Sequence, residues 1–167
     1  MFKLKPLHPD AVPKALLKAE RYRLLNEPDE AESICLDVLA VDPDNQEALI
    51  TLLLALTDQF QSDMAARCYS RAEQIVERLN SPYERAYYAG LIRERLGHAK
   101  LARGGPGDGV MAYGLLREAM DFYEEAEPLR PPHNDDAILR WNTCARIIMK
   151  HQLQPEPGES LEPAPLE

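Results

Sequence analysis

Apolar residues recur along this chain at helical spacing, and the same spelling returns at i+34. Ala15, Ala19 and Tyr22 reappear in role as Leu49, Leu53 and Leu56, and Ala31, Cys35 and Val38 as Ala65, Tyr69 and Ala72. Residues three and four apart share one helix face, so each stretch predicts an amphipathic helix with one side to bury. Pro13 sets up the first, over 14–25. The turn Asn26-Glu27-Pro28-Asp29 leads into a second, over 29–41. Asp42-Pro43-Asp44-Asn45 stops that helix and caps a third over 46–60, and a fourth follows over 63–80, ending at Ser81-Pro82. A fixed period of this length predicts helical hairpins stacked in a row, each too small to bury its own apolar side.

A second internal match extends the pattern. Pro43 to Ile50 reads PDNQEALI and Pro132 to Leu139 reads PHNDDAIL. Both combine a proline stop, an asparagine-bearing turn, acids in the first helical turn and then an apolar face. A last helix is therefore predicted over 135–151, covering the open end of the row as a capping helix does. The third unit breaks the period. Ala119 follows Ala86 at i+33, whereas Ala31 follows Ala15, and Ala65 follows Leu49, at i+16. The third unit thus carries an insertion between its helices. Gly104-Gly105-Pro106-Gly107-Asp108-Gly109 sits in the middle, flanked by helix-compatible sequence. The economical reading lengthens both helices by roughly two turns, so that the hairpin projects beyond its neighbours. The alternative is a loop around the glycines with helices of ordinary length.

These residues resemble the tetratricopeptide-repeat family, whose units follow W-x2-L-G-x2-Y, A-x3-F and a closing proline. The first unit (12–45) reads Ala15-x2-Lys18-Ala19-x2-Tyr22, Ala31-x3-Cys35, Pro43. The second (46–80) reads Leu49-x2-Leu52-Leu53-x2-Leu56 and Ala65-x3-Tyr69, with its proline delayed to Pro82. The third (81–132) reads Ala86-x2-Ala89-Gly90-x2-Arg93 and Ala119-x3-Tyr123. The tryptophan and most glycines of the pattern are missing. The resemblance spans 12–151 and implies an all-α, right-handed solenoid of three hairpins plus a capping helix, the third hairpin extended. It also implies a non-enzymatic adaptor that takes a peptide on the concave face lined by the first helix of each unit. By register that lining is Leu16, Glu20, Arg23 and Leu24, then Ile50, Leu54, Thr57 and Asp58, then Tyr87, Leu91, Glu94 and Arg95. The capping helix adds Leu139, Thr143 and Arg146. An apolar centre with charged edges suits an apolar or amphipathic segment. Family members that bind chaperone tails clamp a terminal carboxylate with lysine and asparagine. Leu16, Glu20, Ile50, Thr51 and Leu54 stand at the comparable places here and supply no such clamp.

Charge narrows the partners. The net charge of −9 argues against nucleic acid, because a phosphate-binding surface must supply cations. Residues 1–11 begin a basic stretch. Over 1–23, Lys3, Lys5, Lys14, Lys18, Arg21 and Arg23 outweigh Asp10 and Glu20, and the extension can itself occupy the groove through Phe2, Leu4 and Leu7. Residues 152–167, with four glutamates, four prolines and little to bury, predict a disordered acidic tail. On the third hairpin, Arg85, Arg93, Arg95, Lys100 and Arg103 oppose Glu118, Asp121, Glu124, Glu125 and Glu127. The expectation is solvated faces with weak cross-pairs, and the same hairpin offers a docking surface for a second copy in a homodimer.

Catalytic and metal chemistry finds little support. His8, His98, His133 and His151 make no HxxxH or HExxH spacing, and His133-Asn134-Asp135-Asp136 reads as a helix cap. The glycine-rich turn is not a phosphate loop, since no Lys-Ser or Lys-Thr follows it. Cys35, Cys68 and Cys144 lack CxxC spacing and fall in predicted helices as small buried residues. Arg140-Trp141-Asn142 is expected to close the end of the core through Trp141. The expectation is a cytoplasmic interaction module with a protein or peptide partner, no cofactor, no metal and no membrane span: the longest apolar run is only Leu52 to Leu56.

Overall fold

A computed structural model describes residues 1–158, so the expectation of disorder for 159–167 lies outside the described residues. The described chain is all-helical: α1 (Val12–Leu24), α2 (Pro28–Val41), α3 (Gln46–Thr57), α4 (Ala65–Val76), α5 (Pro82–Arg103), α6 (Asp108–Ala126) and α7 (Asp136–His151). Single 3-10 turns precede α1 at Pro9–Ala11 and follow α6 at Glu127–Leu129. Among the described residues no helix is long and apolar enough to cross a membrane. Each helix packs on the next, and α1, α3, α5 and α7 also touch one another in sequence. The odd-numbered helices therefore form a row, as stacked hairpins do.

Local chemistry sets the boundaries. Pro13, Pro28 and Pro82 each occupy a first helical turn, where a missing N–H costs nothing. The Asn45 side chain accepts from the Ala48 N–H at 2.9 Å, and the Ser81 hydroxyl from that of Glu84 at 3.3 Å. The two matched turns cap differently. Asn134 lies one residue before the cap position of α7 and accepts from the Asp136 N–H at 2.9 Å and from the Tyr83 hydroxyl at 3.3 Å. His133, just before it, adopts φ +62°. α3 and α4 stop earlier than the apolar spacing predicts. The Thr57 hydroxyl donates to the Leu54 carbonyl at 2.8 Å, and the chain turns through 58–61. Phe60 still reaches the core from that turn, being 4% exposed.

The first core is leucine-rich. Leu49, Leu53 and Leu56 are wholly buried with Cys35, Ala72 and Ile92, so three successive hairpins share one apolar interior. A second core joins Tyr83, Leu116, Ala119, Tyr123, Ala137 and Cys144. The basic extension contributes little: Leu7 packs beside Leu16, Val38 and Ala48, whereas Phe2 and Leu4 are exposed and fill no groove. At the other end the chain continues to pack past α7. Gln152 takes φ +50°, and the Leu153 N–H donates back to the Ile148 carbonyl at 3.1 Å. Leu153 packs into the second core beside Gly109, so the first residues of the tail are folded although composition predicts disorder from 152.

The inserted residues lengthen the third hairpin. α5 has 22 residues and α4 has 12. At about 1.5 Å per residue, α5 outruns α4 by about 15 Å. Small residues let the two long helices approach. A Cβ on Gly90 would stand 2.8 Å from the Tyr123 ring and 3.1 Å from the Ala119 carbonyl, and one on Gly97 would stand 3.3 Å from Leu116. The turn between them is tight. Gly104 takes φ +66° and Gly107 φ +81°, conformations that strain any side chain. Asp108, 1% exposed, accepts from the Arg103 Nε and from the Gly105 N–H, both at 2.8 Å, with a second bond from Arg103 Nη2. These bonds hold its carboxyl down at about 2.

Candidate functional site

The face presented by the odd-numbered helices brings several expected lining residues together, but against one another. Arg23 of α1 donates through Nε to Asp58 Oδ2 at 2.8 Å, just past α3. Arg95 of α5 donates to Asp58 Oδ1 at 2.6 Å and to the Thr57 hydroxyl at 2.7 Å. Glu94, 1% exposed, accepts from the Tyr123 hydroxyl at 2.6 Å and from Arg140 of α7 at 3.2 Å. Polar links thus run along the row from α1 to α7. Burial and the Glu94 charge together push the Tyr123 hydroxyl strongly up, so it stays a donor.

The remaining positions divide. Leu16 and Leu91 are buried in packing and present no surface. Ile50 and Leu54 are half-buried against the first core. Tyr87 lies between Tyr83, Tyr88 and Tyr123, with ring centroids 5.7, 5.1 and 5.8 Å away. Thr143 returns its hydroxyl to the Leu139 carbonyl at 2.9 Å. Glu20, Leu24, Leu139 and Arg146 are exposed. Trp141 is half-buried on the second core, and its indole N–H donates to Glu124 at 2.8 Å.

The bases of α5 also find partners mostly outside their own hairpin. Among the described residues, Arg93 to Glu118 at 3.3 Å is the one pair these bases make with the five acids expected opposite them, and Arg103 pairs instead with Asp108 at the start of α6. Arg93 also donates to Glu73 of α4 at 2.8 Å and lies 4.7 Å from the Phe122 ring centre. Tyr69 donates to the same Glu73 carboxylate at 3.1 Å. The reason is geometric: α4 is near enough to take the inner half of α5, and Asp58 takes Arg95.

Beyond this knot α5 and α6 outrun the start of α4, and a trough of about 910 Å³ opens between them, on faces away from α7. Its floor is Phe60 and Tyr69, with rings 6.1 Å apart. α5 contributes Leu96, Ala99, Lys100 and Arg103, and α6 contributes Met111, Gly114, Leu115 and Glu118. Each set repeats the interval i, i+3, i+4, i+7 and so follows one helix face, and Ala102 of α5 joins the lining from beside it. Ala65 and Ala66 at the start of α4, with Gln61, Ser62 and Asp63 before it, make the opposite wall. None of the expected peptide-binding positions lines this trough. Its signal lay in the inserted residues, whose apolar face continues past the end of the helix that would cover it. A smaller hollow of about 340 Å³ between α2 and α4 is crossed by the Arg71–Glu32 pair at 2.5 Å.

Nucleophilic chemistry is disfavoured at the cysteines, because burial pushes the thiols of Cys35 and Cys144 up to about 12 and raises that of Cys68. Among the described residues no group of three or more His, Cys, Asp or Glu side chains is arranged to hold a metal ion. Compared with protein-family models, with curated proteins and with solved structures, the chain finds no match in any of the three.

Proposed function

We propose that this chain is a non-enzymatic interaction adaptor that receives an apolar or amphipathic segment of a partner protein in the trough beneath the long hairpin. One observation carries the reading: two helix faces, on α5 and α6, continue past the start of α4 and leave Leu96, Ala99, Met111, Gly114 and Leu115 lining the open trough. A volume of about 910 Å³ accommodates several side chains of a helix or an extended peptide. Stacked helical hairpins commonly act as frames for such binding, and the tetratricopeptide resemblance agrees with that role. Three unbridged thiols favour a reducing compartment such as the cytoplasm.

Selection of a random twelve-residue peptide library on the immobilised chain tests the proposal. Gly114→Arg fills the trough at a position where an added Cβ meets nothing within 4 Å. It is expected to abolish capture of the selected peptides, while Leu54→Arg on the odd-numbered row leaves capture intact. Capture lost with Leu54→Arg and kept with Gly114→Arg transfers the site to the row and overturns the trough assignment.

A further inference from the structure

Resting on the trough as a binding site, we infer that the chain's own residues 159–167 are an intramolecular occupant of it, competing with a partner segment. Four observations converge. The described chain leaves α7 at the projecting end of the hairpin, where Leu153 sits against Gly109. By helical register Gly109 lies on the far side of α6 from Met111, Gly114, Leu115 and Glu118, so the chain must pass round the hairpin to enter the trough. From Leu153 to Glu167 there are 14 residues, which extend to about 46 Å. A helix is only about 10–12 Å across, and the trough's α5 face, Leu96 to Arg103, is about 10 Å long. The tether therefore reaches with length to spare.

Chemistry supplies the other two. Residues 159–167 read ESLEPAPLE, placing Leu161 and Leu166 among Glu159, Glu162 and Glu167. The trough offers an apolar floor, with Lys100 and Arg103 toward the hairpin tip. Asp108 neutralises one of those two cations, which leaves a net positive end for a glutamate. Among the acids of the lining, Glu118 is held by Arg93, and Asp63 stands on the opposite wall. Pro163 and Pro165 carry no N–H, so the segment brings fewer backbone donors that an apolar floor would leave unpaired.

The inference predicts that a partner segment must displace a tethered competitor present at an effective concentration on the order of millimolar. The test uses the isotope-labelled full chain and its Leu161→Asp, Leu166→Asp double variant. The substitutions are expected to shift the amide resonances of Ala99, Lys100 and Gly114 at every protein concentration. A fluorescent synthetic peptide of residues 156–167 is expected to bind the double variant at least tenfold more tightly than the native chain. Unchanged trough resonances and equal peptide affinities overturn the inference. Shifts that appear only as protein concentration rises also overturn it, because they place the segment in a second copy. Neither result touches the library experiment, where the contrast between Gly114→Arg and Leu54→Arg decides whether the trough binds at all.

Discussion

The face of the odd-numbered helices and the trough under the long hairpin are two sides of one stack, and they differ in how fully their side chains are used. On the row, Arg23, Thr57, Asp58 and Arg95 meet at 2.6–2.8 Å across three helices, and Glu94 is satisfied by Tyr123 and Arg140. In the trough, Leu96, Ala99, Met111 and Leu115 border open space. Repeat spacing explains both. Equal units put like register positions side by side, where charges can pair. A unit longer than its neighbour leaves helix faces with nothing to cover them. Uncovered apolar surface therefore follows the irregular unit.

The comparison can be broken from either side. The largest effect is expected in the shared interior. Leu53→Ala, at a wholly buried position, should cost about 2–5 kcal/mol by urea unfolding. A loss below about 1 kcal/mol would mean that the hairpins do not share this core. Next comes the buried carboxylate of the row. Tyr123→Phe removes a donor from Glu94 and should cost about 1–3 kcal/mol, leaving Arg140 as its strongest remaining partner. Arg95→Ala breaks half-buried links to Asp58 and Thr57 that solvent partly screens, and about 1 kcal/mol is expected. If it were neutral, the ladder along the row would be ornamental.

Much of the fold was legible because hydrophobic period and turn chemistry agree. Pro28, Asn45 and Ser81 mark helix starts, and the last helix begins within a residue of the position read from PHNDDAIL. The lengthened hairpin was legible from the widened step between Ala86 and Ala119, since α5 and α6 absorb the insertion and leave only Gly104 to Gly107 between them. The site was less so. Register places Arg23, Thr57, Asp58 and Arg95 on one face, but spacing does not say whether charges face solvent or one another. The same register reads Leu16 and Leu91 as groove floor, yet packing with Val38 and within the hairpin buries them. The trough depends on where α4 begins relative to α5, and that is a tertiary relation. Glycine content makes the turn around Asp108 look flexible; a carboxylate with three bonds to its own loop makes it a fixed one.

Two smaller effects sharpen the contrast at the hairpin tip. The Asp108 carboxyl is held at about 2, below its ordinary 3.8, by Arg103 and by the Gly105 N–H. A depressed acid supports the folded state fully above its ordinary value and loses that support as pH falls through the folded one. The tip should therefore stay closed above about pH 4 and open toward about pH 2. A carbon-13 titration of the Asp108 carboxyl reads this directly, and a midpoint near 3.8 would remove the clasp. Smallest of all, Gly114→Arg should raise stability by about 0.5–1 kcal/mol, because the position is open and lies inside a helix, where glycine is disfavoured.

Chemical-shift mapping of a library-selected peptide onto the labelled chain tests the central claim most directly. Perturbations centred on Leu96, Ala99, Gly114 and Leu115, with Ile50, Leu54 and Leu139 unmoved, are predicted. Perturbations centred on Ile50, Leu54 and Leu139, with the hairpin silent, would contradict it.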